Sequence, residues 1–374
     1  MKIKRPVIAA VAAFVILAIV AHGRSSPYNN YVLLAQAFLA GHVAITFPGS
    51  YIDALLYNGQ HFIIEAPMPA ILLLPFVAVF GGANQTLLAL VLAAIAIGAA
   101  YDLGERLGIQ ATHNAWICAF LLAGTDLLWG AMLGDVWFLA HVSAVCFTML
   151  ALAECAGKKR GWLVGIYASA ALLSRFDMVL ALPVYAYLLG SRRAIATFAA
   201  SLVPVAIFWV WYNYARWGVW YDLGYSAWYH QDQAGSPTGS PFQLRYFPYE
   251  LWSFFVQTPQ RLAGYPWLAP TLSGVALTWT SPALLLAFFA RGPRKWVLAM
   301  WAAAILTAGP NFVYYVNGFA QFGMRHALDF EPFLVALMFL AVREKMPRWS
   351  YALIAYSAAV GLWGCWYWNT FIRT

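Results

Sequence analysis

Apolar stretches long enough to cross a membrane recur from one end of this chain to the other, and no other feature constrains its fold so tightly. Clear spans read at about 6–22, 85–104, 113–130, 136–154, 194–213, 271–290, 296–316, 329–342 and 350–368. A lipid core offers no water to backbone N–H and C=O groups, so runs of this length fold as helices that satisfy those groups internally. Composition agrees. Of 374 residues, 63% are hydrophobic and 10% charged, against roughly 45–50% apolar in soluble domains. The chain reads as an all-α polytopic membrane protein, one domain over residues 1–374 with no internal repeat.

The segment 161–190, "GWLVGIYASAALLSRFDMVLALPVYAYLLG", needs separate treatment. As one helix it would carry Arg175 and Asp177 at the bilayer centre, at about 2.5–3.5 kcal/mol each. It is bracketed by "KKR" (158–160) and "SRR" (191–193), which both favour the cytoplasm. A hairpin of two short helices turning at "SRFD" meets both conditions and brings the expected count to about 11 helices.

Another apolar run, Pro67 to Phe80, has only fourteen residues and holds Pro67, Pro69 and Pro75. If it does not cross, 15 of the 22 Lys and Arg face the cytoplasm, Lys2, Lys4, Arg5, Arg106 and the two triplets among them. If it crosses, only nine do. The positive-inside rule selects the first arrangement, and short length and prolines agree. The expected outer face then comprises the loops 23–84, 214–270 and 317–328, with the N-terminus cytoplasmic.

The net charge of +8 comes from short basic clusters between spans, not from a continuous basic face, so nucleic acid is not an expected partner. The start, "MKIKRPVIAAVAAFVILAIVAHG", has the parts of a signal peptide, but in multispanning proteins the same features make the first helix. Cys118, Cys146, Cys155 and Cys365 form no CxxC pair, so neither disulfides nor thiolate metal sites are expected. Asn84-Gln85-Thr86 matches a glycosylation sequon but abuts a span. No expected cytoplasmic loop exceeds about ten residues, and no GxGxxG or GxxxxGK[ST] loop occurs. Nucleotide-binding classes are therefore excluded on that side, and any chemistry belongs to the outer face or the bilayer.

Several stretches, in order along nearly the whole chain, carry a resemblance: "YVLLAQAFLAGHV" (31–43), "DALLYNG" (53–59), "EAPMPAILLLPF" (65–76), "VWFLAHVSAV" (136–145), "ALLSR" (171–175), "YDLGY" (221–225) and "FGMRHALDFEPF" (322–333). With them the chain resembles the GT-C superfamily of bacterial integral-membrane glycosyltransferases, which use polyprenyl-phosphate sugars as donors. The resemblance implies a GT-C-like bundle with juxtamembrane helices in the first outer loop. It also implies a catalytic carboxylate in that loop, a cationic contact to the lipid phosphate, and inversion at the sugar. One position departs: the acidic residue of the family's "LADAF" pattern is Gln36 here, and glutamine cannot act as a base.

Transfer from a polyprenyl phosphate requires a group that deprotonates the acceptor hydroxyl and a group that stabilises the leaving phosphate. Asp53 and Glu65 are the candidates for the first task, set against the plainer reading that they solvate an exposed loop. Arg175 is the leading candidate for the second, the alternative being an ion pair with Asp177. Arg325 and His326 are weaker candidates, and Gln36, Tyr57 and Trp228 complete the expected substrate-binding set. Aromatics across 217–267 serve mostly as an interfacial belt. No cofactor and no metal ligands are assigned: His22, His42, His61, His230 and His326 lack ligand spacing, and a divalent metal stays open. The expected activity is glycosyl transfer from a polyprenyl-phosphate sugar to an outer-face glycan, lipid or protein, in the cytoplasmic (inner) membrane. The competing reading is a non-enzymatic transporter, flippase or binding protein for lipid-linked sugars, against which the missing internal repeat counts.

Overall fold

The computed structural model describes residues 4–49 and 53–372. Lys2 and Arg373, both counted in the charge balance, lie outside these residues. The protein is helical over 67% of its length. Helix α1 (Arg5–Ala21) is followed by a short α2 (Asn30–Leu39). Next comes a small antiparallel hairpin, β1 (Leu55–Tyr57) and β2 (Gln60–Phe62), with Leu55 opposite Phe62. Its turn is Asn58-Gly59, with φ values of 48° and 77°. Two left-handed residues in sequence are what a two-residue hairpin turn demands, and Asn-Gly supplies them at least cost. An all-α expectation omits this element, although the turn dipeptide was there to be read.

The proline-containing run forms α3 (Met68–Phe80). The Met68 N–H donates to the Leu173 carbonyl at 2.8 Å, while beyond the far end Gln36 Nε2 donates to the Gly81 carbonyl at 2.9 Å. Four residues on, Gln85 Oε1 accepts from the Tyr31 N–H at 2.9 Å. Both ends of α3 thus meet the same end of the bundle. Helix α4 (Gln85–Arg106) starts there, and the Asn84 side chain accepts from the Leu87 N–H at 2.9 Å, so the sequon asparagine is its N-cap.

The stretch expected as one span at 113–130 is broken into α5 (Ala111–Ala123) and α6 (Leu127–Leu133), bent by 48°. Thr125 repairs the break: its hydroxyl donates to the Leu121 carbonyl at 2.7 Å and accepts from the Leu127 N–H at 3.2 Å. Helix α7 (Val136–Ala156) packs against α4 at the centre. Then α8 (Gly161–Leu172), a 3-10 stretch Phe176–Ala181 and α9 (Leu182–Leu189) interrupt the helix at "SRFD", and α10 (Arg192–Trp217) follows. A Cβ on Gly161 would lie 1.8 Å from the Ala194 carbonyl, and one on Gly165 1.9 Å from Ser201 Oγ. These paired positions advance together, so α8 and α10 run parallel in close contact and α9 is the return.

The segment after α10 holds α11 (Gly224–Gln231), α12 (Phe247–Phe255) and a minimal hairpin of β3 (Gln260–Arg261) and β4 (Leu268–Ala269). The span expected at 271–290 is not a regular helix. It consists of one turn, α13 (Leu277–Thr280), and a 3-10 stretch Pro282–Phe289, because Gly274 (φ 98°) and Pro282 both resist a continuous α-helix. Helix α14 (Arg294–Asn311), a 3-10 turn Arg325–Asp329, α15 (Glu331–Ala341) and α16 (Arg348–Tyr367) complete the chain.

By length and composition α4, α7 and α10 can each cross a membrane, and the bent α5–α6 pair can act as a fourth span. Helix α10 is the telling one. Its apolar Val203, Ile207, Val210, Trp211 and Tyr214 are all exposed, a surface that lipid covers at no cost and water does not. Basic groups gather at the end opposite α3. There Arg106 donates to the Ala153 carbonyl at 2.8 Å, Arg160 grips Glu154 at 2.8 and 2.9 Å, and Lys295 donates to the Leu188 carbonyl at 3.2 Å. All four cysteines are buried and free.

Candidate active site

At the end where α2 and α3 lie, a cavity of about 750 Å³ opens between the segment that carries Asp53 and Glu65, α7, α11 and the 314–326 segment. Asp53 lies at the entrance to β1, and its carbonyl accepts from Asn30 Nδ2 of α2 at 3.0 Å. Glu65 follows β2. Between β2 and Glu65 the Ile63 carbonyl accepts from Arg216 Nη1 at 3.2 Å; Arg216 is itself held by Asn213 and stacked on Tyr212 at the end of α10. The hairpin and α10 together hold this segment at the cavity, which both carboxylates line.

Basic groups line it as well. Arg175, at the break after α8, and Arg325 and His326, in the 3-10 turn before α15, line the same cavity, as does Trp228 of α11. Six of the eight expected residues therefore converge: Asp53, Glu65, Arg175, Arg325, His326 and Trp228. Gln36 and Tyr57 are not among its lining residues. Gln36 spends its amide on Gly81, and the Tyr57 ring packs edge-on against Trp217 at 5.4 Å.

Glu65 is buried, with Oε2 lacking a partner, so the reading of a solvated loop residue does not hold for it. Burial pushes its carboxyl up to about 7; the Asp53 charge adds to the rise, while its own backbone N–H, Arg175 and Arg325 oppose it. Asp53 is also raised, first by burial and then by Asp232, with Arg325 opposing. Burial beside Arg175 pulls the Arg325 guanidinium down to about 10.

Arg175 pairs chiefly with Asp329, not with Asp177. Its Nη2 donates to Asp329 Oδ2 at 2.8 Å and its Nε lies 3.2 and 3.3 Å from the two Asp329 oxygens, whereas Asp177 is 3.7 Å away. Asp329 also accepts from His141 Nδ1 at 2.8 Å and from Asn311 Nδ2 at 3.2 Å. Four sequence regions build this knot, which explains why spacing could not reveal Asp329 or His141. Asp232, whose carboxylate accepts from the Tyr315 hydroxyl, is a third cavity carboxylate that sequence reading passed over. His141, His326 and Asp329 offer ligand atoms within 4.8 Å of one another, close enough to consider a metal. They fit one poorly, because the Asp329 oxygens already accept from three donors and two guanidiniums stand beside the group.

No protein-family profile matches the chain, and no curated protein matches it. Among solved structures, the chain is similar to ArnT from Cupriavidus metallidurans, whose crystal structure is bound to undecaprenyl phosphate. The likeness has a TM-score of 0.57 at 14% sequence identity and covers 96% of this chain and 75% of that one. At that identity it shows a shared fold: this is a helical membrane protein with an ArnT-like architecture.

Proposed function

We propose that this protein is a GT-C glycosyltransferase that moves a sugar from a polyprenyl-phosphate carrier to a glycan, lipid or protein acceptor on the outer face of the cytoplasmic membrane. The observation that carries the reading is one cavity lined both by carboxylates, Asp53 and Glu65 among them, and by two arginines. It is supported by the fold likeness to a protein whose crystal structure holds undecaprenyl phosphate. On this reading the chain is one domain of about 11 membrane helices and segments, with the N-terminus cytoplasmic.

Arg175 and Arg325 receive the phosphate, where a paired guanidinium and a partly buried one meet developing negative charge in a low-dielectric wall. Asp53 feels Arg325 and Asp232, whereas Glu65 feels both arginines. Asp53 is assigned as the general base that takes the proton of the attacking acceptor hydroxyl. Glu65 supports the sugar. Trp228 offers a ring face to the sugar or acceptor. Purified protein supplied with a panel of polyprenyl-phosphate monosaccharides and membrane extract should yield a glycosylated product. Equal transfer from UDP- or GDP-sugars without a lipid carrier would overturn the reading.

A further inference from the structure

Asp329 is fully buried and accepts from Arg175 through Nε and Nη2, from His141 through Nδ1 and from Asn311 through Nδ2, with the Asp177 carboxyl as a further neighbour. The guanidinium it grips also reaches a histidine. Arg175 Nη2 lies 3.4 Å from His326 Nδ1. Arginine donates and never accepts, so His326 Nδ1 must be the acceptor and the ring proton must sit on Nε2. That Nε2 is buried without a partner, in a residue only 7% exposed that lines the cavity. A buried N–H with no acceptor is costly unless a ligand completes it. The Arg325 Nε beside it is unpartnered as well.

The geometry points to Asp329 as a positioning residue that fixes the Arg175 guanidinium and, through it, the tautomer of His326, so that a neutral Nε2–H faces an oxyanion in the cavity. The inference rests on the lipid-phosphate reading above only for the identity of that oxyanion. Burial and the two neighbouring arginines hold the His326 ring below its ordinary range, which keeps it a neutral donor. By the same logic His141 carries its proton on Nδ1, facing Asp329. The His–His–Asp group is then an ordered chain of hydrogen bonds and not a metal centre.

The test uses the full-length protein in nanodiscs with ring-15N histidine at neutral pH, His141→Gln and His326→Gln serving to assign the two rings. The expected spectrum has His326 protonated on Nε2 only and His141 on Nδ1 only. A doubly protonated His326, an Nδ1–H tautomer there, or stoichiometric divalent metal that His326→Gln removes would each overturn the proposal. In a folded Asp329→Asn variant the His326 preference should be lost, and undecaprenyl phosphate should bind about tenfold or more weakly, with Asp329→Glu restoring part of both. Unchanged tautomer and affinity in Asp329→Asn would refute it. Should Asp329→Asn fail to fold, the tautomers of the parent protein still decide. If they are as stated while the parent does not bind undecaprenyl phosphate, the lipid-donor reading falls and the positioning role stands.

Discussion

Asp53 and Glu65 share a cavity but not an environment, and the difference separates their expected roles. Asp53 is half-buried near Asp232, while Glu65 is 6% exposed and within the field of both arginines. General-base catalysis contributes roughly 10²–10⁴ in rate, so Asp53→Asn should lose about that much in single-turnover transfer while donor affinity stays within a few-fold. Parent-like transfer by Asp53→Asn alongside a dead Glu65→Gln would move the base to Glu65. The Glu65 carboxyl also predicts a pH effect on stability. Its folded value of about 7 lies above the ordinary 4.5, so the folded state holds the proton more tightly than the unfolded chain does. The resulting stabilisation is complete below about pH 4.5 and is lost as pH rises through about 7. It is worth on the order of 3 kcal/mol, and melting of the Glu65→Gln protein should lack that decline. Arg175 differs again, because it closes a buried ion pair. Arg175→Ala leaves Asp329 and Asp177 without their cation and should cost about 3–5 kcal/mol. Arg175→Lys keeps the charge but loses the two-pronged grip, so it should melt between the two and bind undecaprenyl phosphate better than Arg175→Ala does.

At the scale of elements, two short sequence features hold the site's frame. Gly165 lets α8 lie against α10, and a side chain there would meet Ser201 and the Phe198 carbonyl, the latter at 2.9 Å from a Cβ. Gly165→Leu should push the two helices apart and lower the melting temperature by several degrees, with Gly165→Ala doing less; equal melting of all three would contradict the contact. Gly59 sits at φ 77° in open space, so the demand on it is conformational and not steric. Gly59→Val should loosen the hairpin that leads from Asp53 to Glu65 and slow transfer, with little effect on overall melting. Elsewhere a sound reading of apolarity overstated regularity. The 271–290 stretch is apolar enough for a span, yet Gly274 and Pro282 leave only one helical turn and a 3-10 stretch.

For the whole molecule, the question is which end faces which compartment. Arg106, Arg160 and Lys295 lie at the end opposite the cavity, and α3 leaves and returns at the cavity end. Reporters active only outside the cytoplasm should therefore work when fused near Pro237 or Ala83 and fail near Arg193 or Lys345. Activity at 193 with none at 83 would invert the orientation and place the cavity on the inner side.

Much was legible in one dimension, because the local physics is strong. The helical, apolar architecture follows from apolar length, the break at "SRFD" from the cost of charges in lipid, and the two carboxylates and the arginines from chemistry scarce in so apolar a chain. Tertiary structure alone decided their company. It brought Asp329 and His141, separated by 188 residues, to 2.8 Å of each other, chose Asp329 over the nearby Asp177 as the partner of Arg175, turned Gln36 away to Gly81 and added Asp232 to the cavity. The reason is physical. A buried charge must find a partner in space, and which of several carboxylates reaches it depends on how helices distant in sequence cross and lean, which no local pattern of residues encodes.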